Sequence, residues 1–470
     1  MFLDYEIPGD YSRKFILSFF NLRLNTYDHI FTTITKNMNE ILNTQLMHPR
    51  DQITMIIGRI YKRGLTTTSG GNISVIDDDG SIWVTPSGVD KGSLSPTDIM
   101  CVKKDGTIVG PHKPSSEFPF HKAIYDIRPD IKAIIHAHPP ALVSFSIVRE
   151  IPNTNIISQA KHICGPIGYA AYELPGSNAL GVKIAQQFSK GFMAIIMENH
   201  GTVLGGTDLV DAFQRFETLE FCARTILYGK TIGVPYYLTD KQIDEFETQI
   251  PEAFPEMDSV SYPSSEREKR MEICKIVHRA CEQGLMISSY GTVSTRWYDN
   301  NFLITPTNVP RWDLQIEDVV QIKDGKREPG KVPSRATWLH QEIYNRNPKI
   351  NSIILTQSPY LMAFGVTQSL FDVRTIPESW IFLQDVPSLA FGSHFQGSTE
   401  IPAILSTSNP AILIQNDAVL ITGDKLLQTF DRLEVAEFSA KSLVMSTPIG
   451  RMVPINNQQV EELRKVFLDK

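Results

Sequence analysis

The sequence predicts an α/β protein built as two tandem copies of one fold, and three observations carry that prediction. Segments with apolar residues at helical spacing alternate along the chain with short runs at strand spacing. A set of residues recurs at a single offset of 220 positions, beginning with Gly64-Leu65 and Gly284-Leu285. An apolar run, Ala133-Ile134-Ile135-His136-Ala137-His138-Pro139-Pro140, ends in His-x-His and two prolines. Side chains alternate faces on a strand, so His136 and His138 point the same way, one pleat apart.

Taken in order, residues 1 to about 45 mix aromatic and polar residues and read as helical decoration or an arm. Residues 52–62 carry Ile53, Ile56, Ile57 and Ile60 at helical spacing, with Gly64 as the stop. The run from Thr66 through Ser69-Gly70-Gly71-Asn72 to Val75 is a glycine turn leading into a strand. Asp77-Asp78-Asp79-Gly80 is a hairpin turn, and Ile82-Trp83-Val84-Thr85 is the returning strand. Residues 118–127 are expected to be helical and 131–135 a strand. A helix follows over 177–189, then a strand over 192–197 that breaks at Glu198-Asn199-His200-Gly201, then a long helix over 209–227. From Val234 to about Arg270 proline and charge accumulate, which reads as a linker with a short helix in it. The repeat follows: Ser69, Gly71, Ser74, Thr85-Pro86, Val89 and Asp98 return as Ser289, Gly291, Ser294, Thr305-Pro306, Val309 and Asp318. After a one-residue slip, Pro114-Ser115, His121 and Ile124-Tyr125 return as Pro333-Ser334, His340 and Ile343-Tyr344.

Composition narrows the function classes. The 470 residues suffice for two or three domains, and 42% hydrophobic with 21% charged residues is ordinary for a globular protein. A net charge of -7 argues against nucleic acid or a membrane surface as partner. Five scattered cysteines without a zinc-knuckle spacing point to reduced thiols and a cytoplasmic setting. No apolar run is long enough to cross a bilayer, and the N-terminal hexapeptide has neither the basic region nor the apolar core of a secretory signal.

Four groups in the first copy are out of place for packing alone. They are Asn72 after two glycines; Ser87-Gly88; Lys113-Pro114-Ser115-Ser116-Glu117; and the histidines His136, His138 and His200. Three neutral imidazoles with no fourth side chain describe a catalytic zinc site open on one corner. A core histidine, a solvated one and a turn histidine would also account for them. Small hydroxyls with glycine amides suit a phosphate, and equally suit ordinary turns. Glu117 is a general base if it lies beside the metal, and otherwise a surface glutamate.

The order Ser69-Gly70-Gly71-Asn72-Ile73-Ser74, Thr85-Pro86-Ser87-Gly88-Val89, Lys113-Pro114-Ser115-Ser116-Glu117, His136-Ala137-His138 and Asn199-His200-Gly201 resembles the class II aldolase/adducin family. The likeness covers residues 50 to 240 closely and 268 to 450 in degenerate form. It implies an αβα sandwich around a mostly antiparallel sheet. It also implies one zinc ion per chain on His136, His138 and His200, a substrate phosphate on Asn72, Ser87, Gly88, Ser115 and Ser116, and Glu117 as acid/base. Glutamate at 117 matches the aldolase-type members, since the related pentulose phosphate epimerases have aspartate there. The family's aldolase carries a catalytic tyrosine about twenty residues past its His-x-His. This chain reads Asn155-Ile156-Ile157-Ser158 in that neighbourhood, while Tyr172 matches a more general family tyrosine.

In the second copy Ser334-Arg335-Ala336 stands for Ser115-Ser116-Glu117, Thr356-Gln357-Ser358-Pro359 for His136-Ala137-His138-Pro139, and Asn416-Asp417-Ala418 for Asn199-His200-Gly201. Hydroxyl and amide side chains are poor zinc ligands, so this copy is expected to be a structural partner. The resulting organisation is an N-terminal extension over 1–48, an active domain over 49–240, a linker over 241–267 and a degenerate domain over 268–470. The expected function is a zinc-dependent aldolase-type lyase acting on a phosphorylated sugar or hydroxy-ketone. An epimerase, dehydratase or decarboxylase on the same scaffold is the alternative within enzymes, and an adducin-like scaffold protein the alternative outside them. Two chains would supply four copies, so a homodimer mimicking the family tetramer is expected.

Overall fold

A computed structural model describes residues 44–468. The decoration expected over the first 45 residues lies, but for its end, outside the described residues. From Pro49 onward the chain forms one compact unit holding two eight-stranded sheets.

The first sheet contains β1 (Asn72–Ile76), β2 (Ile82–Val84), β3 (Met100–Val102), β4 (Ile108–Val109), β5 (Ala133–Ala137), β6 (Ile167–Ala170), β7 (Ala194–Met197) and β8 (Gly201–Gly206). Their order is β4-β3-β2-β1-β5-β8-β7-β6, and only β6 and β7 run parallel. The second sheet repeats that order with β9 (Thr292–Tyr298), β10 (Asn301–Ile304), β11 (Val320–Lys323), β12 (Lys326–Arg327), β13 (Ser352–Thr356), β14 (Ser388–Leu389), β15 (Ala411–Ile414) and β16 (Ala418–Gly423). Strand alternation builds a layer on each face. Ala133, Ile135 and Ala137 of β5 join a core with helices Pro49–Lys62 and Leu209–Ile232. Ile134 points the other way, into a core with helices Phe118–Ile127 and Asn178–Phe188. The αβα sandwich expected from the resemblance is the fold observed, twice.

The first of these cores runs on through the second copy, where helices Pro359–Thr367 and Leu426–Ser446 supply its apolar residues. Tyr228 and Tyr360 stack across the junction with ring centroids 4.1 Å apart. Arg63 pairs with the buried Glu217, whose other oxygen accepts the Ser288 N–H at 3.2 Å. The charged stretch read as linker is partly ordered core. Helix Ser264–Gln283 begins inside it, and Arg270 holds Glu266 at 2.5 Å and Glu328 at 2.7 Å, all three buried. Charge that reads as linker composition is here consumed by a partner about sixty residues away. All five cysteines are free and buried, and no described helix is long and apolar enough to cross a membrane.

Two buried carboxylates give the fold a pH response. Helices Pro140–Ile147 and Pro359–Thr367 start on proline without a side-chain cap of their own. Glu220 accepts the Leu142 N–H at 3.2 Å, and Glu437 accepts those of Tyr360 and Leu361 at 3.0 Å. Burial nonetheless pushes each carboxyl up to about 7. A raised carboxyl binds its proton more tightly in the folded chain, so its contribution is complete below the unfolded value and is lost as pH rises through 7. Stability should therefore fall between pH 4.5 and 7, by at most about 3 kcal/mol per group. Thermal melts of the Glu220→Gln/Glu437→Gln variant should show a flatter profile over that window. An unchanged profile would remove these two groups as its source.

Candidate metal centre

The centre forms where β5, the β7–β8 turn and the start of helix Phe118–Ile127 meet. His136 is on β5, opposite Asn72 of β1 and Val203 of β8. His138 follows one pleat later, just past the strand end, and His200 sits in the turn after Asn199, whose φ is +52°. The imidazole nitrogens of the three lie within 4.8 Å of one another. Close approach is built in by glycine: a Cβ on Gly201 would meet Ala137 O and His138 Cδ2 at 2.6 Å. The three histidines that the sequence singles out are brought together.

Each ring turns a nitrogen toward the other two. His136 Nδ1 donates to the Thr202 carbonyl at 2.9 Å, which leaves Nε2 facing the centre. Burial, with the neighbouring His136 charge second, lowers His138 to about 3 and His200 to about 4, so both are neutral at neutral pH. His136 goes the other way: burial lowers it, but the adjacent Glu117 holds it above its ordinary value. Nε2 of His136, Nε2 of His138 and Oε1 of Glu117 are buried without a hydrogen-bond partner among the described residues. Orphaned buried atoms on His136, His138 and Glu117, in a cluster of three imidazoles with no fourth side-chain ligand, fit a zinc ion with an open position.

Glu117 stands beside them, 3.2 Å from His136 Nε2 and 3.5 Å from His200 Nε2. Burial raises its carboxyl, but His136, His200 and the Asn72 amide outweigh that and hold it well below the usual carboxylate range. Asn72 Nδ2 donates to Glu117 Oε2 at 2.8 Å, and its oxygen accepts from His121 Nε2. His121 Nδ1 continues to Ser74 Oγ at 2.7 Å, and that hydroxyl to Tyr125 at 2.7 Å. Sequence reasoning missed this buried relay as part of the site. The signal available was the repeat itself, because Ser294, His340 and Tyr344 form the same chain at the same distances. In the second copy Thr292 replaces Asn72, and His340 Nε2 is left without a partner among the described residues.

The loops that carry the hydroxyl groups are tied together by their backbones. The Ser87 N–H donates to Lys113 O at 2.9 Å, the Ser115 N–H to Thr85 O at 3.1 Å, and Pro86 and Pro114 bridge between them. Ser87, Gly88, Ser115 and Ser116 therefore share one pair of stitched loops, with Gly88 in the left-handed region at φ +71°. Ser115 Oγ accepts the Glu117 N–H at 3.3 Å, tying the loops to the carboxylate. Beneath them Lys91 is buried, donating to the Pro86 carbonyl at 2.7 Å, with no carboxylate in ion-pair range among the described residues. Tyr172 stands apart: it is 56% exposed, and its hydroxyl bonds neither the histidines nor Glu117.

The strand pairing corrects the matching of the two copies. Thr292 lies opposite Leu355, as Asn72 lies opposite His136. The counterparts of His136, Ala137 and His138 are thus Leu355, Thr356 and Gln357, one residue earlier than the offset of 220 suggests, because the slip made in the turn between β3 and β4 carries through β13. Asp417 remains the counterpart of His200, following Asn416 at the same positive φ. Among the described residues only His136, His138 and His200 form a cluster suited to a metal.

A family model described as Class II Aldolase and Adducin N-terminal domain matches residues 51–227 and again 271–444. A 3-oxo-tetronate 4-phosphate decarboxylase of Haemophilus influenzae is 33% identical over 205 residues, covering 42% of this chain and 96% of the relative. A 5-deoxy-D-ribulose 1-phosphate aldolase of Bacillus thuringiensis is 32% identical, covering 42% and 93%. An L-fuculose phosphate aldolase of Methanocaldococcus jannaschii is 35% identical, covering 38% and 95%.

Proposed function

The chain belongs to the class II aldolase and adducin family through both of its copies, and from that membership we propose that the first copy is a zinc-dependent lyase breaking a C–C bond in a phosphorylated sugar or related hydroxy-ketone. The observation that supports this reading best is the clustering of three imidazoles, two of them with orphaned buried nitrogens, beside a buried glutamate. His136, His138 and His200 are its metal ligands. What a bound zinc ion supplies there is Lewis acidity, which polarises a carbonyl and stabilises the charge released when the neighbouring bond breaks.

The rest is the work of the side chains. Glu117, held ionised beside the open corner, takes and returns the proton, and Asn72 fixes the orientation of its carboxylate. Ser87, Gly88, Ser115 and Ser116 receive the substrate phosphate, with the remaining amide hydrogen of Asn72 and the buried Lys91 charge behind them. Tyr172, on a surface loop whose Gly176 passes close to the Ser116 carbonyl, is the second candidate for moving a proton once substrate is bound.

Decarboxylation is a reading that one relative specifically favours, since its name is that of a decarboxylase acting on a 3-oxo acid phosphate. Aldol cleavage and loss of a carboxyl from such an acid both break a C–C bond one carbon away from a carbonyl. An adducin-like scaffold role would leave three imidazoles and a buried glutamate without a purpose. The metal-loaded full chain should release an aldehyde from a panel of ketose phosphates, or carbon dioxide from 3-oxo acid phosphates. Epimerisation or loss of water alone would overturn the reading of C–C bond cleavage. The reading includes a homodimer of four copies; a solution mass of one chain would remove that part and leave the metal centre untouched.

A further inference from the structure

The second copy holds a cavity of about 300 Å³ where the first has its histidines. The metal corners are gone: Leu355, Gln357 and Asp417 take the places of His136, His138 and His200, and Ala336 that of Glu117. The anion side of the site is kept and made more basic. Ser334 and Arg335 stand for Ser115 and Ser116, Thr307 and Asn308 for Ser87 and Gly88, and a Pro306–Pro333 bridge stitches these loops as in the first copy. Beneath them Arg311, only 2% exposed, replaces Lys91. It donates at 2.7 Å to the carbonyls of Gly291, Pro306 and Val309, with no carboxylate in ion-pair range among the described residues.

Arg335 is anchored in advance. Its Nη2 donates to the carbonyls of Phe246 and Gln249 at 2.8 and 2.9 Å, and its guanidinium lies 4.4 Å from the Phe246 ring centroid. Nε and Nη1 remain without a hydrogen bond to a described residue. Asp417, the only carboxylate lining the cavity, accepts from Gln159 at 2.8 Å and lies 3.5 Å from His394 Nε2. A stripped active site kept only for packing would be expected to fill with side chains, because voids lose contact energy. This one instead stays open, lined by Arg311, Arg335 and Asp417.

We propose that this cavity binds a small phosphorylated polyol or sugar without a metal, the phosphate resting on Ser334, Arg335 and the Thr307-Asn308 loop and the hydroxyls on Asp417 and Gln357. The assignment rests on the reading that the matching loops of the first copy hold a substrate phosphate. It makes the second copy a binding domain, and because Gln159 of the first copy lines the cavity, the occupant touches both copies.

Equilibrium dialysis of the full chain with labelled glycerol 3-phosphate, in the presence of chelator, tests this. That probe carries no carbonyl for a metal to act on. Two sites per chain are expected. Arg335→Gln should weaken one of them about tenfold or more, as loss of a charge-assisted hydrogen bond does. Ala336→Glu, which puts a carboxylate into the cavity, should do the same. Ser115→Ala/Ser116→Ala should weaken only the other. If both second-copy variants bind as the parent chain does, the proposal fails. If they lose a site while the serine variant keeps both, the proposal stands and the phosphate reading of the first copy fails.

Discussion

Replacing His136 with alanine is expected to remove metal and activity together. The imidazole is fully buried, its Nδ1 is fixed on the Thr202 carbonyl, and its Nε2 completes the set with His138 and His200. Two imidazoles hold zinc far less well than three, and the loss should exceed the 10- to 100-fold that disturbing a ligand's supporting bond costs. Since the Lewis acid is worth several kcal/mol at the reacting carbonyl, turnover should fall by about a thousandfold or more. Metal content after dialysis and turnover on the preferred substrate, with a thermal melt to confirm folding, make the check. A full complement of zinc in His136→Ala would dissolve the ligand assignment.

Glu117→Gln should separate the two functions. The substitution keeps the shape of the side chain and an oxygen for the Asn72 amide, and it leaves the three imidazoles in place. Metal content should therefore stay near that of the parent chain. Turnover should fall by about 10² to 10⁴, the usual worth of a positioned proton carrier. Turnover within a few-fold of the parent would take the acid/base role away from Glu117 and turn attention to Tyr172. Because the first variant loses metal and the second keeps it, the pair distinguishes a missing ligand from a missing base.

Much of this was legible in the residues. The two-residue period of a strand puts His136 and His138 on one face, and the glycine turns, the Phe118–Ile127 helix and the repeat follow from equally local patterns. What escaped were pairings made at a distance. Helix Ser264–Gln283 begins in a stretch that reads as linker, because Glu328, the partner of Arg270, arrives from the segment just past β12. The relay from Glu117 through Asn72 and His121 to Ser74 depends on β1 lying against helix Phe118–Ile127, which no window of sequence contains. The one-residue slip in matching the copies arose because a shared offset says nothing about where a loop has shortened. Strand register does, since a shift of one residue would turn every side chain to the opposite face. The open cavity of the second copy was invisible for the same reason: Gln159 reaches it from the first copy.

The most direct test of the central claim is anomalous diffraction at the zinc edge from crystals of the zinc-loaded chain. The account predicts one strong peak per chain, bounded by His136, His138 and His200 with Glu117 beside it, and none in the second copy. A peak elsewhere, or one of equal height among Leu355, Gln357 and Asp417, would contradict it.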